Sequence, residues 1–327
     1  MKVYVTGATG FIGTHLMHLM AQTDHELTCL VRETSDVSTL RLLGIPTVVG
    51  DVTDRASLER SIPGHDALIN LANVYDFWVP DKRVYHEVNV EGTRNVLETA
   101  LAADVAKVVH VSTFVIYGKP VECPFDEECE PGPVRFSEYA QSKYEGDFVA
   151  WELYEQKRLP LVLIYPGAVV GPGDPKPTGR YIANFINGRL PVTVFGESRM
   201  SFVHVRDVAK AILLALEKEG NIGEKYLVAP GAISFDEINA MISEITGVPV
   251  PKIPLPDFMV MLNARLLTAL ADITKKPPWR GMSVDQMRTM MEGGQVATSK
   301  VERELGLTYT PIRTAIDEAI ASYQTSP

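Results

Sequence analysis

The sequence predicts an α/β protein built on a doubly wound parallel sheet, followed by a smaller and mostly helical C-terminal region. Three observations carry this. Short β-branched runs alternate with helical patterns through residues 1–170, the rhythm of strand, crossover helix and next parallel strand. The first run feeds into a glycine-rich turn that opens a helix. After Pro166 the chain passes through the rigid loop Gly171-Pro172-Gly173-Asp174-Pro175-Lys176-Pro177 and changes character.

Taken in order, the first strand spans Val3 to Val5, and the helical run His15-Leu16-Met17-His18-Leu19-Met20 follows the turn. Further strands are expected at Leu27 to Val31, Thr47 to Val49, Ala67 to Leu71, Lys107 to Ser112 and Leu161 to Tyr165, with helices between them. Phe202-Val203-His204-Val205, a helix from Asp207 to Leu216 and a strand from Lys225 to Val228 read as a return to the main domain. From Ser234 to Pro327 helical patterns dominate, with proline-rich loops around Pro249 to Pro256 and at Pro277-Pro278. The expected division is residues 1–170 plus 201–230 as one domain and residues 171–200 plus 231–327 as a cap over its ligand cleft.

At 327 residues the chain suits one large domain or two. It has no run of about 18 apolar residues that could span a bilayer, so no membrane span is expected. Its formal charge of −10 argues against a nucleic-acid partner, which would need a basic face. Cys29, Cys123 and Cys129 have neither metal-site spacing nor the even count of a disulfide framework. His15 and His18 share a helix face without a third ligand, so no metal site is expected. Met1-Lys2-Val3-Tyr4-Val5 reads as the first strand and not as a signal peptide, which suggests a cytoplasmic protein.

Two motifs carry the chemistry. In Thr6-Gly7-Ala8-Thr9-Gly10-Phe11-Ile12-Gly13, Gly7 supplies a tight turn, Gly10 a close approach to phosphate and Gly13 close helix–strand packing. Backbone N–H groups and a positive helix end then face a dinucleotide pyrophosphate. In Tyr139-Ala140-Gln141-Ser142-Lys143, a phenol and an ammonium lie four residues apart and share one helix face. The lysine is expected to draw the phenol below its usual pKa of about 10, making a general acid or base.

The combination resembles the extended short-chain dehydrogenase/reductases, whose fingerprint is TGxxGxxG followed by YxxxK, and the resemblance covers nearly the whole chain. It implies a Rossmann nucleotide-binding domain, a nicotinamide cofactor and a C-terminal substrate domain. The second strand ends Cys29-Leu30-Val31-Arg32-Glu33. Acid at this place bonds a ribose 2′-hydroxyl and arginine accommodates a 2′-phosphate, so Arg32 favours NADP(H) over NAD(H). The competing reading leaves Arg32 solvated and gives the ribose to Glu33. Asp51-Val52 resembles the family pair that contacts adenine, and also opens the helix of Asp54 to Glu59. Leu71-Ala72-Asn73 matches the segment under the nicotinamide, and Tyr165-Pro166-Gly167-Ala168-Val169 the one that closes over the carboxamide. Asn89 resembles a structural asparagine at a helix start.

For catalysis, Thr113 falls where the family places its Ser or Thr, with Ser112 before it. The resemblance assigns proton transfer to Tyr139, and gives Lys143 the tasks of tuning Tyr139 and holding the nicotinamide ribose. Tyr75, Phe77, Trp78, Thr113 and Met200 are candidate substrate contacts. The stretches Asn73 to Trp78 and Phe202 to Ala209 look most like the dihydroflavonol-reductase-like bacterial group, which includes hopanoid-associated epimerase-like members. Sugar-nucleotide enzymes of the family carry a diphosphate-clamping arginine where this chain has Met200. A reductase acting on a ketone or aldehyde with an apolar or aromatic skeleton is therefore favoured, the alternatives being an NAD-dependent sugar-nucleotide epimerase or dehydratase and a non-catalytic dinucleotide sensor. The resemblance also implies a homodimer through the helix after Asn89 and the helix bearing Tyr139.

Overall fold

In the computed structural model, which describes residues 1–120 and 122–325, the strands are β1 (Lys2–Thr6), β2 (Glu26–Val31), β3 (Thr47–Val49), β4 (Ala67–Asn70), β5 (Lys107–Val111), β6 (Leu161–Pro166), β7 (Ala168–Val170), β8 (Arg199–His204), β9 (Lys225–Val228) and β10 (Ala232–Ser234). The helices through the last strand of the main sheet are α1 (Phe11–Met20), α2 (Ser38–Leu42), α3 (Arg55–Ser61), α4 (Arg83–His86), α5 (Thr93–Ala102), α6 (Glu138–Lys157), α7 (Pro177–Ile186) and α8 (Val205–Glu217). Beyond it come α9 (Phe235–Thr246), α10 (Asp257–Thr274), α11 (Val284–Glu292) and α12 (Ile312–Thr325). Of the expected cap range, Ser326 and Pro327 lie outside the described residues.

Seven strands form one parallel sheet in the order β3-β2-β1-β4-β5-β6-β9. The order reverses between β1 and β4, because the chain leaves β3 at one edge and re-enters beside β1. At such a point the loops at the carboxyl ends part and leave a crevice. Both faces are covered, so successive residues point into different apolar layers. Tyr4 packs with Leu58, Leu97 and Val149 on one side, while Val3 and Val5 pack with Leu16 and Ile212 on the other. This is why the strands read as continuous apolar runs rather than alternating ones.

Within the stretch read as a return to the main domain, Phe202 to His204 pairs outside the seven-stranded sheet. Met200–His204 belongs to β8, which pairs in parallel with β7 and antiparallel with β10 in a separate three-stranded sheet. An apolar run buried on both sides reads alike in either sheet, and only pairing decides. The helix after it does return, since α8 packs on α1 and β9 joins the large sheet beside β6. His204 makes the corner, accepting the Arg206 backbone N–H at Nδ1 (2.9 Å) and so capping α8. The C-terminal region is not confined to a cap either, because Val301, Leu305 and Leu307 pack in the same apolar layer as α8.

Candidate active site

At the carboxyl ends of β1, β4, β5 and β6 the molecule opens a cleft of about 440 Å³. Its floor is the glycine turn. Gly7 sits at φ 72°, and a Cβ there would stand 2.6 Å from the Leu71 carbonyl carbon, so only glycine lets the turn close on the chain leaving β4. A Cβ on Gly13 would stand 2.2 Å from the Gly7 carbonyl oxygen, which fixes α1 against the turn. The N-terminus of α1 has no side-chain cap and no acid in its first turn, and Gly10, Phe11 and Ile12 line the cleft. Unpartnered N–H groups at a positive helix end suit a pyrophosphate, so the residues present fit a dinucleotide. Gly13→Ala is expected to displace backbone, lowering stability by about 1–3 kcal/mol in a denaturant titration and weakening dinucleotide binding with it.

The remaining expected cofactor residues separate into two sets. Gly7, Thr9, Gly10, Phe11, Ile12, Gly13, Arg32, Asp51, Val52, Leu71, Ala72, Asn73, Pro166, Gly167, Ala168 and Val169 all line the cleft. Arg32 is exposed there beside Ser35, whose Oγ accepts the Arg32 backbone N–H at 3.1 Å. Glu33 is not on the lining. Tyr165 and Lys143 lie behind the wall, both buried, and Lys143 Nζ donates to the Val111 carbonyl at 3.1 Å.

Of the expected catalytic and substrate groups, Tyr139, Thr113, Tyr75, Phe77 and Met200 meet on the cleft surface. Ser137 caps α6 by accepting the Ala140 N–H at 3.1 Å, which fixes the first turn, where Tyr139 points inward. The Thr113 hydroxyl lies against the Tyr139 phenol, and the rings of Tyr75 and Tyr139 are 4.8 Å apart. Ser112 reaches the lining, but its hydroxyl donates backwards to Asp147 Oδ2 at 2.8 Å. Trp78 stands apart, because its indole N–H is drawn to Asp272 Oδ1 on α10 at 2.9 Å. Asn89 is structural: it accepts the Val74 N–H at 2.7 Å and donates to Ser142 Oγ at 2.9 Å, tying the loop after β4 to α6.

The expectation that Lys143 draws the phenol down is reversed. Burial pushes the Tyr139 phenol above its ordinary value, with Asp147 adding to the rise and the Thr113 contact opposing it. Tyr139 is thus held protonated. The ammonium is occupied elsewhere. Burial lowers the Lys143 pKa, and the charge of Asp147, one turn further along α6, raises it again.

Asp147 went unnoticed in the sequence, where a carboxylate four residues after a lysine looks like an exposed helix pair. It is buried, and burial pushes its carboxyl up to about 6 against the opposing pull of Lys143, Ser112, Tyr165 and Lys225. A line of polar groups continues from it under the cleft. His110 Nε2 faces Asp147 Oδ1 at 3.7 Å, His110 Nδ1 pairs with the Asn70 amide at 3.0 Å, and Asn70 Oδ1 accepts from Thr6 Oγ1 at 2.5 Å. Burial first, and Lys143 second, hold His110 neutral. With Nδ1 accepting, its proton sits on Nε2, which lies beyond hydrogen-bond reach of Asp147 Oδ1. Lys176 was also overlooked: at the start of α7 it lines the cleft, with Nζ on the Tyr75 carbonyl at 3.1 Å.

Met200 shares one apolar cluster with Phe202, Phe235, Ile238, Met290 and Ile316, all of which line the cleft, where α11 also presents Gln286 and Thr289. The neighbouring arginines do not reach in. Arg199 bonds the Ala232 carbonyl at 2.8 Å and pairs with Glu237, while Arg206 pairs with Glu318.

The sequence model of the NAD dependent epimerase/dehydratase family matches residues 3–229. A Synechocystis protein named "Putative dihydroflavonol 4-reductase" is 30% identical over 329 residues, covering 98% of this chain and 94% of its own. Sterol demethylase protein B of Methylococcus capsulatus is 30% identical over 331 residues, covering 99% and 98%. At lower identity, the UDP-glucose 4-epimerase of Neisseria meningitidis serogroup C is 26% identical over 285 residues, covering 76% and 84%. Among solved structures, gox2253 superposes with a TM-score of 0.83 at 33% identity, covering 99% of this chain and 98% of its own.

Proposed function

Since the chain belongs to the NAD-dependent epimerase/dehydratase family of extended short-chain dehydrogenase/reductases, we propose that it is an NADP(H)-dependent reductase of a ketone or aldehyde carried on an apolar skeleton. The observation that carries this reading is the apolar end of the cleft, where Met200 stands among aromatic and aliphatic side chains and both adjacent arginines are committed elsewhere. A nucleoside diphosphate buried there would lack a charge-assisted partner beside Met200. The names of the two 30%-identical relatives, a dihydroflavonol 4-reductase and a sterol demethylase protein, accord with a polycyclic or aromatic substrate.

When bound, the dinucleotide supplies the hydride. The chain's own residues do the rest. Gly7, Gly10 and the start of α1 hold the pyrophosphate end, and Arg32 with Ser35 receives the 2′-phosphate. Thr113 orients the substrate oxygen towards Tyr139, which delivers the proton from its phenol. Lys143 and Asp147 hold α6 in register from behind, and Tyr75 with Phe77 excludes water from the reacting carbonyl. Residues 171–200 and 231–325 supply the substrate end of the cleft, and a homodimer through α5 and α6, where Phe148 stands exposed, completes the reading.

One observation favours the family's other chemistry. Lys176 brings a cation to the cleft beside Tyr75, so a sugar-nucleotide epimerase is the second reading. Calorimetry separates the two. Nucleoside diphosphate sugars are expected to give no heat, whereas a panel of apolar ketones is expected to consume NADPH absorbance. Micromolar binding of such a sugar would overturn the reductase in favour of the epimerase.

For the cofactor, Arg32→Ala is expected to weaken NADPH by about 1.5–3 kcal/mol, roughly ten- to hundredfold in Kd, and NADH far less. Fluorescence titration with both cofactors reads this. Equal losses would remove Arg32 from a 2′-phosphate site.

A further inference from the structure

Away from the cleft, α10 displays an apolar face that none of the described residues covers. Eight of the fourteen large hydrophobic side chains exposed among the described residues fall between residues 253 and 279. Phe258, Leu262, Leu266, Leu270 and Ile273 follow one another at intervals of four, four, four and three, which puts them along one side of the helix. The opposite side is packed through small residues, Val260, Ala264 and Ala271. The helix therefore has two apolar faces, and the larger one looks outward. Ile273 is 81% exposed and Phe258 71%, more than occasional surface hydrophobics explain.

The rim of this face has its own chemistry. Lys252, Arg265, Lys275 and Lys276 are exposed around it, against two acids, Asp257 and Asp272, the second of which accepts the Trp78 indole bond. Over residues 252–276 four cations less two anions leave an excess of +2 on a chain whose formal charge is −10, and the Asp81 carboxylate lies within electrostatic reach of Lys275. Trp279, half exposed, closes the C-terminal end. An apolar stripe edged by Lys and Arg with a tryptophan at its end is the pattern of a helix that lies in the headgroup region of a bilayer. The cations match anionic headgroups. A second copy of this chain, paired about a two-fold axis, is the competing occupant, and light scattering separates it from lipid. No described helix is long and apolar enough to cross a membrane, so the contact is with the surface.

We propose that α10 docks the protein on an anionic lipid surface, with Phe258, Leu262, Leu266, Leu270 and Ile273 entering the acyl boundary and Lys275 and Lys276 meeting the headgroups. The helix packs on α11, whose Gln286 and Met290 line the cleft, so the lipid surface lies one helix away from the ligand.

The test is sedimentation of the full-length protein with extruded vesicles of phosphatidylcholine alone or mixed with phosphatidylglycerol, at low and high salt. Binding to the mixed vesicles, lost in L262E/L266E/L270E and weakened about thirtyfold in K275Q/K276Q, supports the proposal. The triple variant alters only exposed positions, and unchanged NADPH binding verifies that it is folded. No binding to either vesicle overturns the proposal, and so does equal binding to both, which would leave the basic rim without a part. A wild-type oligomer that L262E/L266E/L270E dissociates in light scattering, without vesicle binding, would overturn it in favour of a second copy.

Discussion

Tyr139→Phe is expected to bind NADPH as the wild type does and to lose at least two orders of magnitude in turnover. The ring stays between Tyr75 and Phe77, so packing is kept and the glycine turn is untouched. What is lost is the proton. General acid catalysis contributes about 10²–10⁴ in rate, or roughly 3–5 kcal/mol of barrier. Because burial holds the phenol in its neutral form, the wild type has the donor ready across the neutral range, and no pH adjustment should restore the variant. Single-turnover absorbance with saturating NADPH separates this loss from substrate binding. Turnover near that of the wild type would take Tyr139 out of the mechanism.

Asp147→Ala is expected to destabilise the protein by about 1–3 kcal/mol, since it removes a buried hydrogen-bond acceptor and the charge that favours the buried Lys143 ammonium. It also leaves the Ser112 hydroxyl without its acceptor. Denaturant unfolding checks the magnitude. Asp147→Asn tests the charge separately through pH. The folded carboxyl binds its proton more tightly than the unfolded one, about 6 against 3.8. Its contribution to stability is therefore most favourable below the unfolded value and declines as pH rises from about 4 to 6. The Asn variant should lack that part of the slope. An unchanged slope would mean that Asp147 titrates alike in both states.

These two residues also mark how far the sequence could be read. Tyr139 was legible because a YxxxK spacing on a helix acquires meaning once a glycine turn stands at residue 7, and the glycines themselves were legible because close approach leaves no other residue type. Asp147 was not, since the (i, i+4) relation to Lys143 is the same for an exposed pair and a buried one, and only the packing of α6 on β5 and β6 decides. The same limit explains β8, whose apolar run is compatible with either sheet, and Trp78, whose aromatic neighbours Tyr75 and Phe77 reach the cleft while its own N–H follows Asp272. The direction of the Tyr139 shift was misjudged for a related reason: enclosure is a property of the whole assembly, and it outweighs a charge that can be counted along the chain. Lys176 was read as part of a rigid loop, which it is, but the side a loop residue faces is set by what the loop folds against.

The last helix has a consequence for the order in which the molecule becomes competent. Ile316 of α12 lines the cleft, and Glu318 pairs with both His204 and Arg206 at the corner that leads into α8. The glycine turn leaves the ribosome first, yet the apolar end of the cleft is complete only when residue 316 has emerged. A chain can thus complete its large sheet at β9 and still lack that end, so released chains truncated before α12 should bind apolar ligand far less well than chains that include it.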